Sequence, residues 1–279
     1  MSKNVCLVAI LKEEEPFLDE WILYHKMIGI DHFFLYDDDP AFPLTQFLKP
    51  HSEYVTIINW HNQDKLIEGK LNQTKAYAHA VINFALNFKW VTFIDADEFI
   101  VLRQHESISD FLSEFEDYNA VSLNWHVFGH NGHYNNPKGL ITSSLTRRMF
   151  LPNQNIKTIS RTEAISMIDN PHFCRLKNDT RVDGNKHPIT KNLYPGRTDV
   201  AHINHYQCRS FRNWMGRAKR GDVNFNAENC PKEQSWRLTE ESCLRQFVTT
   251  VALNKNEYVD EYMLKYKIQL EDAIKKIIR

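Results

Sequence analysis

The composition of the chain is that of a globular protein with one large domain or two small ones. Its 279 residues are 42% hydrophobic and 25% charged, so the chain can bury a substantial core. The net charge of -1 creates no overall field that favours nucleic acid or anionic lipid. We therefore expect no nucleic-acid partner, and any basic site must be local.

The cysteine spacing and the lengths of the apolar runs indicate the cellular compartment. The five cysteines are scattered and never form a CxxC pair, which argues against a disulfide framework and a cysteine zinc site. The first apolar stretch is too short for a signal peptide, and no run approaches the ~20 apolar residues of a membrane span. We therefore predict a cytoplasmic protein.

Strands and helices alternate over the first hundred residues. The apolar run at residues 5–11 is typical of a strand covered on both faces, and Pro16 and Gly29 bracket the helix that follows. Further runs predict, in order, a strand that ends in Asp37, Asp38 and Asp39, a strand at 54–60, a helix at 70–88 and a strand at 90–102. Val81, Ile82 and Leu86 are expected on the buried side of the second helix.

This alternation indicates an α/β domain with a mostly parallel sheet. In such sheets, ligands bind at the carboxyl ends of the strands. Three polar clusters follow strands, at residues 12–14, 37–39 and 95–98, so we expect one shared cleft. The chain has neither GxGxxG nor GxxxxGK[ST], which argues against a dinucleotide cofactor and a P-loop.

The run "WVTFIDADEFIVL" ends on Asp95, Asp97 and Glu98. Two carboxylates two positions apart suit Mg²⁺ or Mn²⁺, which can bridge a diphosphate. The alternative is that they cap the next turn or helix. Likewise, Asp37 and Asp38 suit contact with a ribose or base, or a turn before the next proline. The preceding apolar run and the other acidic strand ends favour the metal interpretation of the Asp95 cluster, whereas for any single residue of the Asp37 cluster the turn is at least as favoured.

After residue 120 the chain is richer in loops, and we interpret this half as an acceptor-binding elaboration of the same domain. Most of its histidines suit ordinary surface or hydrogen-bonding positions, but His205 is a candidate metal ligand. The basic helix at 207–222 is either a solvated face or a cover over phosphates that uses Lys219 and Arg220. The last helix is amphipathic and Lys-rich. We favour packing on the domain over peripheral contact with an anionic membrane.

Five motifs in order, over roughly residues 5–222, resemble glycosyltransferase family 2 and family 92-like enzymes. They are "VAILKEEEPFLDEWILYHKMIGIDHFFLYDDDP", "WVTFIDADEFIVL", "NWHVFGHNGH", "IKTISR…NPH" and "HINHYQCRSFRNWMGRAKRGD". The resemblance implies a GT-A type α/β/α sandwich that binds a nucleotide sugar, with a mostly parallel sheet and C-terminal helices. Its catalytic domain would span residues 1–237, divided into a nucleotide-sugar half (1–120) and an acceptor half (121–237), with a helical segment at 238–279.

The resemblance also implies an inverting, metal-dependent transfer of a sugar, with a hexose favoured. The donor would be a nucleoside-diphosphate sugar, with UDP favoured, the acceptor a hydroxyl of a glycan or glycolipid, and the cofactor Mn²⁺ or Mg²⁺. Expected metal ligands are Asp95, Asp97 and His205, and the general base is Asp183 or His133. Expected donor contacts are Lys12, Glu14, Asp37, Asp38, Asp95, Lys157, Lys219 and Arg220.

Two other functions stay open at this point. A nucleotidyltransferase acting on sugar phosphates could use a similar sheet, but it usually carries a Gly- and Arg-rich first loop, and "AILKEEEP" has no glycine. A non-catalytic carbohydrate-binding module is the other, and the intact acidic triplet argues against it.

Overall fold

The computed structural model describes residues 4–39, 44–61, 66–67, 70–191, 193–220, 239–252 and 255–277, with the backbone alone at 66, 67, 70 and 217–220. Within these residues, nine strands form one sheet: β1 (Val5–Leu11), β2 (His32–Asp37), β3 (Val55–Asn59), β4 (Trp90–Phe93), β5 (Glu98–Leu102), β6 (Ala120–Val127), β7 (Asn153–Arg161), β8 (Arg181–Asp183) and β9 (Ala201–His205). Their order is β3-β2-β1-β4-β7-β6-β9-β5, and β8 pairs with the first residues of β6.

The sheet is mostly parallel, as predicted. β1 pairs in parallel with β2 and β4, β2 with β3, and β6 with β8 and β9. The antiparallel pairs are those of β7 with β4 and β6, and that of β5 with β9. Alternate residues of β1 enter two apolar clusters, with Leu7 and Ala9 in one and Cys6 and Val8 in the other. The sheet is therefore covered on both faces, and this explains the continuous apolar runs.

Six helices are labelled here: α1 (Glu15–Met27), α2 (Asn72–Asn83), α3 (Ile108–Ser113), α4 (Phe211–Arg220), α5 (Glu240–Gln246) and α6 (Lys267–Ile277). Single-turn helices lie at Leu44–Phe47, Lys49–His51, Ala85–Asn87, Ile141–Ser144, Thr162–Ala164 and Tyr262–Tyr266, and a π-helical turn at Phe247–Val251. Short strands pair Leu66–Ile67 with Lys70–Leu71, Ile165–Met167 with Arg175–Leu176, and Arg147–Arg148 with Tyr258–Val259. Among the described residues, no helix has the length and apolar character needed to cross a bilayer.

The prediction of one strand at 90–102 is wrong, because the chain turns at residues 94–97 and forms two strands. β4 lies in the middle of the sheet next to β1, whereas β5 lies at the far edge and pairs with β9. Apolar residues on both sides of the acidic turn are buried, so periodicity alone could not reveal the break. The turn lies at the carboxyl end of β4. It joins β4 to β5, which is four places away in the strand order.

Helix α1 begins with a proline in its first turn, and Gly29 follows its end with a φ of +100°, which glycine adopts without strain. Its buried face fixes β5 through side-chain hydrogen bonds. The Trp21 indole N–H donates to the Glu98 carbonyl at 2.7 Å, and the Tyr24 hydroxyl donates to the Ile100 carbonyl at 2.7 Å. α1 thus holds the strand that leaves the acidic turn.

The prediction for the buried side of the second helix is confirmed for Val81, which packs against an apolar cluster, and is wrong for Ile82 and for Leu86, which follows the end of α2. Ile82 is 74% exposed and Leu86 is 62% exposed, whereas Gln73 and Tyr77 are buried. Gln73 and Tyr77 are four residues apart, so both point from the same face of the helix toward the sheet. A polar contact with the acidic turn, described below, explains this orientation better than apolar periodicity does.

The C-terminal segment packs on the domain, as we favoured. Met263 and Leu270 join the same apolar cluster as β1 and α1, and the Tyr262 hydroxyl donates to the Leu102 carbonyl at 2.6 Å. Ile268, in contrast, is 73% exposed. The segment is not purely helical, because its strand Tyr258–Val259 pairs with Arg147–Arg148. Its membrane contact stays a prediction.

Candidate active site

Glu98, the first residue of β5, closes the acidic turn at residues 94–97. The Glu98 backbone N–H donates to the Asp95 carbonyl at 3.0 Å, and the Asp95 backbone N–H donates to Glu98 Oε2 at 2.8 Å. Glu98 is fully buried, so its carboxylate is a structural acceptor inside the protein. This reciprocal pairing holds the residues between them, including Asp97, at the carboxyl edge of the sheet.

Asp95 belongs to a buried polar cluster that three elements build. The Gln73 amide N–H₂ of α2 donates to Asp95 Oδ1 at 2.7 Å and also to the Tyr77 hydroxyl at 2.8 Å. The Lys157 ammonium of β7 lies 3.1 Å from Asp95 Oδ2 and 3.3 Å from Glu98 Oε2. We call Gln73, Tyr77, Asp95, Glu98 and Lys157 the lysine cluster. Both carboxylate oxygens of Asp95 thus have protein partners, although 38% of its side chain is exposed.

The electrostatics of this cluster follow from one ammonium serving two carboxylates. Burial alone would lower the pKa of Lys157, but Asp95 and Glu98 outweigh that effect and raise it above its ordinary value. Burial raises the pKa of Glu98 well above its ordinary range, and Lys157 opposes that rise. Lys157 therefore stays charged.

Asp97 faces the other side of the turn, toward β9. Its Oδ1 lies 3.5 Å from His205 Nε2, which is longer than a good N–H···O hydrogen bond. The Asp97 carbonyl accepts from the Tyr206 backbone N–H at 2.8 Å, so the backbone fixes the pair. His205 Nδ1 is buried and has no hydrogen-bond partner within the described part of the chain.

Arg209 ties the acidic turn to the loop after β1. Its guanidinium lies 2.5 Å from Glu14 Oε2, donates to the Ala96 carbonyl at 3.2 Å, and stacks 3.9 Å above the Phe17 ring. Arg209 is 3% exposed, so these contacts lie away from water, where ion pairing is strong. Glu14, a predicted donor contact, is therefore engaged with Arg209, and its donor contact stays a prediction.

The expected nucleotide side lies at the ends of β1 and β2. Lys12 is half-buried directly after β1, and Glu13 adopts a φ of +55°, which is uncommon for a residue other than glycine. Burial raises the pKa of Asp37, whose Oδ2 lies 3.9 Å from His61 Nε2. Asp38 is also buried. The register of β1 and β2 brings Leu11 beside Asp37, so these residues share one edge as predicted.

The predicted metal trio does not form a ready site. Within the described residues, no group of three or more His, Cys, Asp or Glu side chains is arranged to hold an ion. Asp95 is drawn away by Gln73 and Lys157. Asp97 and His205 do fit a divalent ion, because a carboxylate oxygen and an imidazole nitrogen both suit Mn²⁺, and a diphosphate would supply further oxygens.

The two predicted bases lie in different settings. Asp183 is 1% exposed and accepts from the backbone N–H groups of Asn185 at 2.8 Å and His187 at 2.9 Å. Its other oxygen lies 3.3 Å from the His187 ring and accepts from the Tyr194 hydroxyl at 3.4 Å. His133 is half-buried, and its carbonyl accepts from the backbone N–H of Phe211, the first residue of α4. Catalysis by either residue stays a prediction.

The family of the chain follows from its match to known proteins. A family model described as glycosyltransferase family 92 matches residues 4–245. The chain belongs to glycosyltransferase family 92. The predicted resemblance is confirmed for that family.

Curated relatives carry the same family description. A family 92 protein of Oryza sativa subsp. japonica is 29% identical over 184 residues, which cover 63% of this chain and 30% of the relative. A family 92 protein of Ricinus communis is 26% identical over 209 residues, 68% of this chain and 35% of the relative. The chain therefore spans about a third of the length of these relatives.

Solved structures also resemble the chain. TarS residues 1–349 of S. aureus align with a TM-score of 0.41 at 14% identity, over 99% of this chain and 80% of that one. Glucosyl-3-phosphoglycerate synthase from Mycobacterium tuberculosis, solved with Mn²⁺, UDP and glucosyl-3-phosphoglycerate, aligns with a TM-score of 0.35 at 11% identity, over 58% of each chain.

Sequence reasoning missed part of the site of this family 92 chain. Gln73 was overlooked because α2 was oriented by its apolar residues, although the spacing of Gln73 and Tyr77 marks a polar stripe. The Trp125 ring lies 4.4 Å from the ring of His205 and 5.3 Å from that of His172, and no local pattern joins these three. The side chains of Lys219 and Arg220, predicted to cover phosphates, lie outside the described residues.

Proposed function

We propose that this family 92 chain transfers a sugar from a UDP-sugar to a hydroxyl of a glycan or glycolipid, with inversion and with Mn²⁺ or Mg²⁺. The observation that carries the proposal is the acidic turn, where Asp95 is held by Lys157 while Asp97 lies 3.5 Å from His205. The turn stands at the carboxyl edge of a parallel sheet, where such folds bind nucleotides. Membership of family 92 favours sugar transfer over the nucleotidyltransferase and binding-module alternatives.

The residues would divide the work as follows. Asp97 and His205 hold the divalent ion, which when bound offsets charge on the departing diphosphate. Asp95, held by Gln73 and Lys157, faces the donor sugar or ribose. The ion pair of Asp95 with the buried Lys157 would hold this carboxylate in that orientation.

The proton of the acceptor hydroxyl needs a base. We favour His133 over Asp183, because four donors already surround the Asp183 carboxylate and it is 1% exposed. As the acceptor oxygen bonds to the anomeric carbon, the bond from that carbon to the diphosphate oxygen breaks on the opposite face. His133 takes the hydroxyl proton, and the nucleoside diphosphate leaves.

Ligand-induced stabilisation tests the proposal. Because a ligand that binds the folded state alone raises its stability, UDP with Mn²⁺ should raise the melting temperature of the chain by several degrees. GDP and CDP serve as comparison nucleotides. Asp97→Ala should abolish the shift, and Glu106→Gln, which changes an exposed acid, should keep it. No shift with any of the three nucleotides would contradict the proposal.

A further inference from the structure

An exposed aromatic ring stands beside the proposed site. Tyr134 is 57% exposed, yet its ring stacks on Phe211 with centroids 5.3 Å apart and planes at 21°. Phe211 meets Phe247 edge-on at 5.0 Å, and Phe247 meets His130 edge-on at 4.9 Å. We call Tyr134, Phe211, Phe247 and His130 the aromatic row. Tyr134 thus keeps more than half of its surface exposed although its ring is stacked on Phe211, and the exposed part of the ring is open to a ligand.

The ring is held in place by the backbone around it. The Arg212 N–H donates to the Tyr134 carbonyl at 3.0 Å, and the Phe211 N–H donates to the His133 carbonyl at 3.0 Å. The Ser210 hydroxyl donates to Asn136 Oδ1 at 2.8 Å. The loop is thus pinned to the start of α4. A ligand that stacks on Tyr134 meets a surface that is already ordered, which lowers the entropic cost of binding.

The aromatic row lies on the acceptor side of the acidic turn. Arg209 donates to the Ala96 carbonyl within that turn, and Phe211 is two residues further on, at most about 7 Å along the chain. The nucleotide side lies at β1 to β3, which form the opposite end of the sheet from β9 and β5. A molecule on Tyr134 therefore approaches the turn from the side away from the nucleotide.

The chemistry around Tyr134 suits a sugar ring. A pyranose has a face of C–H groups, whose partial positive charge is attracted to the negative face of an aromatic ring. Its rim of hydroxyls needs amide and charged partners. Asn135 is an exposed amide beside Tyr134, and the Arg212 guanidinium lies over part of the ring, 5.3 Å from its centroid. A lipid chain would need a deeper apolar groove than one ring edged by polar groups.

We propose that Tyr134 is the platform on which a pyranose of the acceptor stacks, so that the acceptor of this chain is a carbohydrate. The inference rests on the proposed sugar transfer and adds the class of acceptor and the residue that holds it. Asn135 and Arg212 would bind the hydroxyls of the stacked ring.

The test uses the full chain and simple sugars. Saturation-transfer NMR is run in the presence of UDP with a panel of methyl glucopyranosides, galactopyranosides and mannopyranosides. At least one should receive saturation on its C–H protons. Tyr134→Ala should weaken that binding about tenfold, which corresponds to about 1.4 kcal/mol. Tyr134→Phe should keep it, and so should Phe150→Ala, which removes an aromatic ring that is 64% exposed elsewhere on the surface.

Several outcomes would overturn the platform. These are no saturation of any sugar by the wild-type chain, equal binding by Tyr134→Ala, or a Tyr134→Ala defect in liposome binding without one in sugar binding. The UDP–Mn²⁺ melting shift of Tyr134→Ala should equal that of the wild type, and its loss would also overturn the proposal. A wild-type chain that binds sugar but shows no UDP–Mn²⁺ shift overturns the proposed transfer and supports Tyr134 as a sugar site.

Discussion

Asp95 and Asp97 are two residues apart on one turn, yet their surroundings differ sharply. Asp95 accepts from Gln73 at 2.7 Å and from Lys157 at 3.1 Å, inside the lysine cluster. Asp97 is less exposed than Asp95, at 15% of its side chain against 38%, and its Oδ1 lies 3.5 Å from His205 Nε2. One carboxylate is thus fixed by buried partners, while the other has a geometry that a cation could complete.

The difference shows how a short acidic motif can separate two tasks. A buried ammonium is costly unless carboxylates pair with it, so Lys157 commits Asp95 and Glu98 to itself. Asp97, which lies between these two acids in the sequence, faces β9 instead.

Removal of the buried Lys157 ammonium should destabilise the lysine cluster that holds Asp95. Lys157→Met leaves Asp95 and Glu98 without their cation and should lower the free energy of unfolding by about 3–5 kcal/mol. Urea denaturation measures the loss. Lys89→Met is the matched control, because Lys89 pairs with Glu116 at the surface and should cost about 1 kcal/mol or less. Equal costs for the two variants would contradict the structural role of Lys157.

Removal of one carboxylate charge should affect the two aspartates differently. Asp97→Asn should reduce transfer about a hundredfold to a thousandfold and remove the dependence on Mn²⁺, because it loses charge stabilisation of the diphosphate. Asp95→Asn should keep that dependence and bind the UDP-sugar more weakly. Titration of Mn²⁺ against initial rates separates the two. The same Mn²⁺ dependence in both variants would show that the aspartates share one task.

The two base candidates can be separated by rate and stability. His133→Gln should lower kcat about a hundredfold with an unchanged UDP–Mn²⁺ melting shift, because only the proton acceptor is lost. Asp183→Asn should instead lower the free energy of unfolding by about 1–3 kcal/mol, since an amide cannot accept all four hydrogen bonds. Steady-state kinetics and urea denaturation measure these effects. A catalytic loss in Asp183→Asn with full stability would restore Asp183 as the base.

Acid should weaken the folded state through His172, which lies beside the lysine cluster. Burial, followed by the charge of Lys157, lowers the pKa of His172 to about 4. Between pH 6.5 and 4 the unfolded state binds the extra proton, so stability present above pH 6.5 is lost as pH falls. This group should contribute about 1–2 kcal/mol of the loss from pH 7 to pH 5. His172→Gln should flatten the slope measured by urea denaturation, and an unchanged slope would contradict the assignment.

Much of the fold could be predicted from local pattern. β1 is buried along its whole length, so its apolar run indicated a strand covered on both faces. The break at Asp95 could not be seen, because the residues after the turn are as apolar as those before it. The orientation of α2 was predicted only in part, since its buried Gln73 serves a polar partner that lies 22 residues away in sequence.

Which chemical groups follow the strands can be read from the chain alone, and so can the acidic residues of the turn and the family motifs. Which of these groups meet depends on the folded arrangement of the strands. Lys157 is 62 residues from Asp95 in sequence. His205 reaches Asp97 because β9 pairs with its neighbour β5, which places His205 opposite Glu98. Such contacts depend on strand order and register. Local periodicity reports which face of one element is buried, but it does not specify which strands become neighbours.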